Sequence, residues 1–401
     1  MAIEEEDLLG GLTVVSIEQA TVIPYLTYRL ALDGARVIRI EDPARGDPNR
    51  FVGEDRLGEP GMNAYFLPIN AGKKAVTLNL ARPRGRELLH ELIGRLNVDI
   101  FCTNQLPKNY TKLGISYEVL RSVKPDLIWL GVTGFGPGSD EAAYDPVLQA
   151  KSGLMDLNGE AGGRPLATSI PFIDLGTAEH AYGQIMKALY KRAAGGAGSR
   201  VDISMFQSAC SWLSVPISLY ASFACQMRRR GNTHEFFAPV SVYGTRDGYI
   251  YLAVGNDRQW QSLVSLPAFG GLARPRYATN AGRIGDVGAL NTAVEQITRT
   301  LTVAAAVAQL REAGVPVAPV QDLAAVAADP LVRESLLTSH DPVTGTNLVL
   351  APPPYATPYL AACGKSLSFP PRLGEHNREI YGGVLGLDGH DLAQLRAAQI
   401  I

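Results

Sequence analysis

The sequence predicts an α/β protein, with a large domain built on a mainly parallel β-sheet and a smaller α+β domain. Three observations carry this. Short β-branched runs alternate with helical stretches through the first half of the chain. After about Gly231 the alternation gives way to a hairpin pattern. The 401 residues are 46% hydrophobic and 19% charged, enough apolar material for a sizeable core and unlike a disordered chain. Strands separated by helices imply right-handed βαβ crossovers, hence parallel strands with ligands at their carboxyl ends.

Leu12–Ile17 (LTVVSI) is the first strand. Pro24 opens a helix at a place where its missing N–H does no harm, and Gly34 closes it. Arg36–Ile40 and Lys74–Leu80 read as strands. A helix with Pro83 in its first turn follows, its Leu88, Leu89, Leu92, Ile93 and Leu96 at helical spacing. Val98–Cys102 is a strand, Ser116 caps a helix to about Val123, and Leu127–Val132 is a buried-type strand. Asp174–Arg192 is a long amphipathic helix, and Arg200–Ser204 leads into another. In the second half, Val240–Thr245 and Tyr249–Val254 form a hairpin about Arg246-Asp247-Gly248. Helices lie around Trp260 and over Val303–Ala313, and Val315–Val320 is a Pro-punctuated edge strand. After about Leu337 the chain is expected to be extended until a short helix from Leu392.

Several function classes are disfavoured. A net charge of −2 leaves no electrostatic footprint for nucleic acid or an anionic membrane, and Arg228-Arg229-Arg230 reads as a solvated patch. Cys102, Cys210, Cys225 and Cys363 have neither zinc nor redox spacing, so reduced thiols in a cytoplasmic protein are expected. The acidic start MAIEEEDLLGG is unlike a secretory signal, and no run approaches the roughly 18 apolar residues of a membrane span. The histidines form no H-x-x-x-H pair, and no metal or redox cofactor is expected. Gly131–Gly138 follows a strand, but Pro137 interrupts any dinucleotide fingerprint, which argues against a nucleotide-dependent oxidoreductase. There is no G-x-S-x-G elbow.

Asp174 stands at the head of the long helix, where aspartate is a favoured cap. The position also suits chemistry. A helix N-terminus stabilises a carboxylate by about 0.3–1 kcal/mol, which predicts a pKa at or below the ordinary ~3.9. An ionised carboxylate at such a junction can attack a thioester and carry an acyl group.

Ordered stretches along nearly the whole chain resemble the class III CoA-transferases, the family that includes formyl-CoA and carnitine CoA-transferases and methylacyl-CoA racemase. They include GLTVVSIEQATVIPYLTYRLALDGARVIRIE (11–41), NAGKKAVTLNLARPRGRELL (70–89), LIWLGVTGFGPG (127–138), YDPVLQAKSGL (144–154), RRGNTHEFFAPVSVYGTRDGYIYLAVGNDRQW (229–260), AGVPVAPVQDL (313–323) and RLGEHNREIYGGVLGL (372–387). The resemblance implies a Rossmann-like large domain over 1–210, completed by 330–401 so that its sheet is built from both chain ends. It also implies a small domain over 230–325 and an interlocked homodimer. It puts the family's catalytic aspartate on Asp174, acting through an aspartyl anhydride and an aspartyl-CoA thioester, with coenzyme A as co-substrate. CoA contacts would fall on Ala20, Thr21, Val22, Leu78, Asn104, Gln105, Lys112 and Met205. Asp42 and Ala81 stand where basic residues are known in formyl-CoA transferase, with Arg82 the expected substitute for the second. Gly231-Asn232 is a candidate mobile loop.

The family's racemase branch places a His-Asp pair ahead of the catalytic helix, and here the pair is Tyr144-Asp145. A tyrosine with a pKa near ~10 is a poor acid–base substitute, which favours acyl transfer over racemisation. A non-catalytic subunit of a heteromeric transferase is the third reading, and the presence of Asp174 argues against it. Arg50 reads as a surface-loop arginine, with binding of an acceptor carboxylate as the alternative. The bulky Ile23-Pro24-Tyr25-Leu26 hints at an unusual acyl pocket, for a dicarboxylic acid such as succinate or an aryl-substituted acid.

Overall fold

The computed structural model describes residues 8–401. Six strands form the main sheet: β1 (Thr13–Ile17), β2 (Arg36–Glu41), β3 (Lys74–Thr77), β4 (Ile100–Thr103), β5 (Ile128–Thr133) and β6 (Ser199–Ser204). Their order is β3-β2-β1-β4-β5-β6, and every pairing is parallel. This is the doubly wound order, which reverses direction between β1 and β4 and opens a crevice at the carboxyl ends of those two strands.

Strands β1 to β5 are buried on both faces because helices cover both, while the edge strand β6 is mostly half-exposed. On one face, Val15, Ile38, Val76, Phe101 and Trp129 pack with Leu88, Leu89 and Leu92 of α2 (Pro83–Arg95) and Leu120 of α3 (Tyr117–Val123). The opposite face carries α1 (Val22–Leu32), which packs on the later helix α5 (Phe172–Ala193). Between them in sequence lies α4 (Asp145–Ser152), and α6 (Met205–Trp212) follows β6.

All six strands come from residues 13–204, so the sheet is not shared between the two chain ends. The C-terminal segment joins the same core by side chains instead. Ile380, Tyr381, Leu392, Ile400 and Ile401 pack against the β3 side of the sheet, and Asn377 bonds Thr77 through both its amide oxygen and nitrogen. Nor is this segment simply extended.

By compactness the chain divides into two units. One runs to Ser152 and takes in Thr168–Ser214 and Leu331–Ile401; the other holds Gly153–Ala167 and Val215–Pro330. The second unit has the predicted hairpin, β7 (Val240–Gly244) with β8 (Tyr249–Ala253), and β9 (Val317–Pro319) is its third, edge strand. Trp260, Leu263, Phe269, Leu290, Val294 and Leu310 form its core around the buried Arg283, which donates to the Ala238 and Tyr277 carbonyls and to Asp257. Within the first unit the C-terminal segment forms a further three-stranded sheet of β10 (Leu337–His340), β11 (Asn347–Leu350) and β12 (Ser366–Ser368). The last helix, over Gly389–Ala397, is closed by an Asp388–Asp391 capping box.

Among the described residues no helix is long and apolar enough to cross a membrane, and no group of three or more His, Cys, Asp or Glu side chains is placed to hold a metal.

Candidate active site

Asp174 is the third residue of α5, not its cap. The helix opens at Phe172 after Pro171, which offers no side-chain acceptor for the first free N–H groups. Asp145, the first residue of α4, supplies the missing cap from 29 positions away. Its Oδ2 accepts the N–H of Ile173 at 2.6 Å and that of Asp174 at 3.1 Å. Its Oδ1 accepts Gln149 Nε2 at 2.5 Å, and Gln149 Oε1 accepts the N–H of Thr168 at 2.9 Å, tying down the approach to the helix. Gly176, one turn in, has the Trp212 ring of α6 where a Cβ would lie, 2.3 Å from two ring carbons.

This arrangement overturns the expected low pKa. Burial, the larger cause, and the nearby Asp145 carboxylate push Asp174 up to about 7. A rise of that size corresponds to about 4 kcal/mol, whereas a helix terminus contributes at most ~2 kcal/mol in the other direction even at a partly buried site. No described donor is bonded to the carboxylate.

Asp174 lines a cavity of about 300 Å3 with Ala20, Val22, Asn104, Gln105, Met205 and the loop Glu141–Tyr144. The cavity lies at the carboxyl ends of β1, β4 and β5, where the doubly wound order opens its crevice. Gly134 permits this, since a Cβ there would sit 2.7 Å from Cβ of Ala143. A second cavity, of about 420 Å3, shares Gln19 and Gln105 with the first and is lined by Leu78, Asn79, Asp42 and Arg45 among others. Together they bring six of the ten sequence-predicted site residues into one cavity and Leu78 into the next, which shares Gln105. Thr21 lines neither; it is buried, with its hydroxyl 3.3 Å from that of Tyr65. Arg82 and Lys112 are exposed and line neither. Gly231, in the second unit, lies in a turn with its N–H on the Gly159 carbonyl.

Two expectations fail here. Arg50 is neither a surface arginine nor free for a substrate. It is buried, with Nε and Nη2 on the two oxygens of Glu41, both at 2.7 Å. Ile23, Pro24 and Leu26 are buried, and Tyr25 packs towards Tyr28; none of the four lines the Asp174 cavity. Their bulk belongs to the packing of α1 and says nothing about the acid.

Other residues were missed. Gln19 lines both cavities with its side-chain amide unbonded among the described residues, and Arg45 is the cation of the second cavity. In sequence Asp145 stands out only as half of a pair with Tyr144, although an Asp before Pro146 is itself a helix-start signal. Tyr144, by contrast, is 73% exposed.

The profile of CoA-transferase family III matches residues 9–377. The chain belongs to that family. It is a transferase enzyme, as its relatives are named. The human succinyl-CoA:glutarate CoA-transferase is 28% identical, over 98% of this chain and 90% of its own length. The succinate–glutarate CoA-transferase of Agrobacterium fabrum is 31% identical, over 93% of this chain and 94% of its own. The crystal structure of a CaiB/BaiF family protein from Brucella suis, 30% identical, superposes with a TM-score of 0.82 over 94% of this chain and all of that one. Enzymes of family III work on CoA thioesters and carboxylic acids, so coenzyme A enters as a co-substrate.

Proposed function

We propose that the enzyme moves CoA from an acyl-CoA to a carboxylic acid with Asp174 as the nucleophile. The observation behind this is a cavity-lining carboxylate without hydrogen-bond donors, raised to a pKa of about 7. Such a group is more basic than an exposed aspartate yet still substantially ionised at neutral pH, the balance a nucleophile needs.

In the first step an Asp174 oxygen attacks the thioester carbonyl, the C–S bond breaks, and CoA leaves as thiolate. The product is a mixed anhydride. The thiolate then attacks the Asp174 carbonyl of this anhydride, releasing the donor acid and leaving an aspartyl-CoA thioester. The acceptor carboxylate attacks that thioester to form a second anhydride and thiolate. Attack of the thiolate on the acceptor carbonyl yields the new acyl-CoA and restores Asp174. Each step exchanges one acyl bond for another, so no water, metal or redox group takes part.

Leu78, Gln105, Val22 and Met205 would meet CoA along the two adjoining cavities, with Ala20 and Asn104 at the acyl end. Arg45 takes the phosphate role expected of Arg82 or Lys112. The names of the relatives make succinate and glutarate the first acids to test. The working form is a homodimer, interlocked as in the family pattern. In favour of a second copy, the helix Ser214–Phe223 has no buried residue and exposes Val215, Ile217, Tyr220 and Phe223.

The test is a trap. The enzyme is incubated with succinyl-CoA and members of an acyl-CoA panel, treated with hydroxylamine, and mapped by mass spectrometry. Modification at Asp174 and loss of turnover in Asp174→Ala are expected. Retained activity in Asp174→Ala overturns the assignment, and exchange of an α-proton in deuterated water without acceptor acid points to the racemase branch instead.

A further inference from the structure

Gln19 and Ala20, in the turn after β1, have four backbone polar groups between them, and remote side chains occupy all four. Asn104, after β4, accepts the Gln19 N–H at 3.2 Å and donates to the Gln19 carbonyl at 2.8 Å. Asp47 Oδ1 accepts the Ala20 N–H at 3.1 Å, and Asn49 Nδ2 donates to the Ala20 carbonyl at 2.6 Å. Ala20 is held at φ +62°, a left-handed conformation that a residue with a Cβ adopts at a cost. Strain of this kind persists where the surroundings over-determine it, and it gathers at functional sites.

The clamp is itself anchored. Asp47 Oδ2 takes Arg39 Nη2 at 2.8 Å, and Asp47 Oδ1 also accepts the Asn49 N–H at 3.0 Å. Arg39 lies against Glu41 and Glu18, Glu41 is held by Arg50, and Glu18 by Lys73 at 2.9 Å. Three buried cations face three buried carboxylates, and the polar end of this lattice is the backbone of the turn that lines the Asp174 cavity. What the turn presents is Gln19, whose side-chain amide has no hydrogen-bond partner among the described residues.

We infer that Asn49, with Asp47 behind it, is a positioning residue: it acts through Ala20 to hold the Gln19 amide in the cavity with Asp174. The inference rests on Asp174 being the reacting group. A fixed amide donor near a carbonyl that gains negative charge stabilises it without reorganisation, and a mobile one does not. Loss of the clamp should therefore lower turnover more than binding.

The experiment is a double-mutant cycle on the full-length enzyme, run with the acyl-CoA and acid pair of highest turnover in the panel above. Asn49→Ala should lower kcat at least 10-fold with KM for acyl-CoA within 3-fold of wild type. In a Gln19→Ala background the same change should add less than 2-fold, because the group it positions is gone. Asp47→Asn keeps an acceptor for Ala20 but loses the charge facing Arg39, so it should lower the melting temperature more than Asn49→Ala and kcat less. Should Asn49→Ala fail to fold, Asn49→Asp keeps the side chain's shape but loses the donor to the Ala20 carbonyl, and the cycle is run with it. A kcat within 2-fold of wild type for the clamp variant, or losses that multiply in the double variant, overturns the inference. Gln19→Ala at wild-type rate does so too, while leaving Asp174 as nucleophile intact; that assignment falls only with an active Asp174→Ala.

Discussion

Replacing Asp174 by Asn should stabilise the enzyme, and by an amount that grows with pH. No described donor is bonded to the carboxylate, so the isosteric amide breaks no hydrogen bond. The folded carboxyl holds its proton to about pH 7, against ~3.9 in the unfolded chain. Between those values unfolding releases a proton, so this group's contribution to stability falls as pH rises from about 4 through 7. The full shift would cost about 4 kcal/mol by pH 8; solvent at the partly exposed carboxylate screens part of it, leaving about 2 kcal/mol. At pH 5 the same linkage leaves about 1 kcal/mol or less. For a chain of this size about 1 °C accompanies each kcal/mol, so Asp174→Asn should melt about 2 °C above wild type at pH 8 and about 1 °C or less above it at pH 5. Thermal melts of both proteins from pH 5 to pH 8 measure the gap. A gap that stays constant with pH, or a less stable variant at pH 8, would refute the reasoning that burial and Asp145 hold the proton on Asp174.

Three further outcomes are expected. The wild-type kcat/KM for acyl-CoA should rise with pH through about 7, and in Asp145→Asn that limb should move to lower pH, since one of the two causes of the shift is removed; a limb that stays in place counts against the role of Asp145. Gly176→Ala should cost about 1–3 kcal/mol and lower kcat, because a Cβ 2.3 Å from two ring carbons forces Trp212 or the first turn of α5 to move; an unchanged melting temperature would show the packing to be looser than described. Arg50→Ala should destabilise by about 3–5 kcal/mol by taking from the buried Glu41 the cation that holds both its oxygens and leaving it only Arg39. A denaturant titration showing less than 1 kcal/mol would mean that water replaces the guanidinium.

The parallel sheet was legible because its strands β1 to β5 are almost wholly buried, and such burial writes itself as β-branched runs between helices of regular length. The C-terminal sheet was not. Its strands are three or four residues each, and β10 buries only alternate residues, Leu337 and Ser339, too weak a period to read. Among the proposed site residues, the placing of Ala20 and Asn104 at strand ends beside the Asp174 cavity was legible from the order of strands and helices. Arg50 was misread because an arginine in RGDPNR looks solvated until Glu41, nine positions earlier, is known to close on it. Asp145 was undervalued for the same reason: its partners lie 28 and 29 positions away, and no local pattern announces a cap at that range.

That distant cap is also what separates Asp174 from an ordinary first-turn aspartate. A helix that began with its own Ser or Thr would have satisfied its free N–H groups with a neutral oxygen, leaving burial alone to raise Asp174. Here the helix opens after proline and takes its acceptor from a second carboxylate. The same Oδ2 that fixes the backbone of Asp174 therefore brings a like charge up to its side chain, in a place already short of water. One contact thus fixes the position of Asp174 and adds to the basicity that burial already raises. A neutral acceptor at 145 would keep the helix start while releasing the proton earlier, and the carboxylate would become a weaker nucleophile as it became a more abundant one.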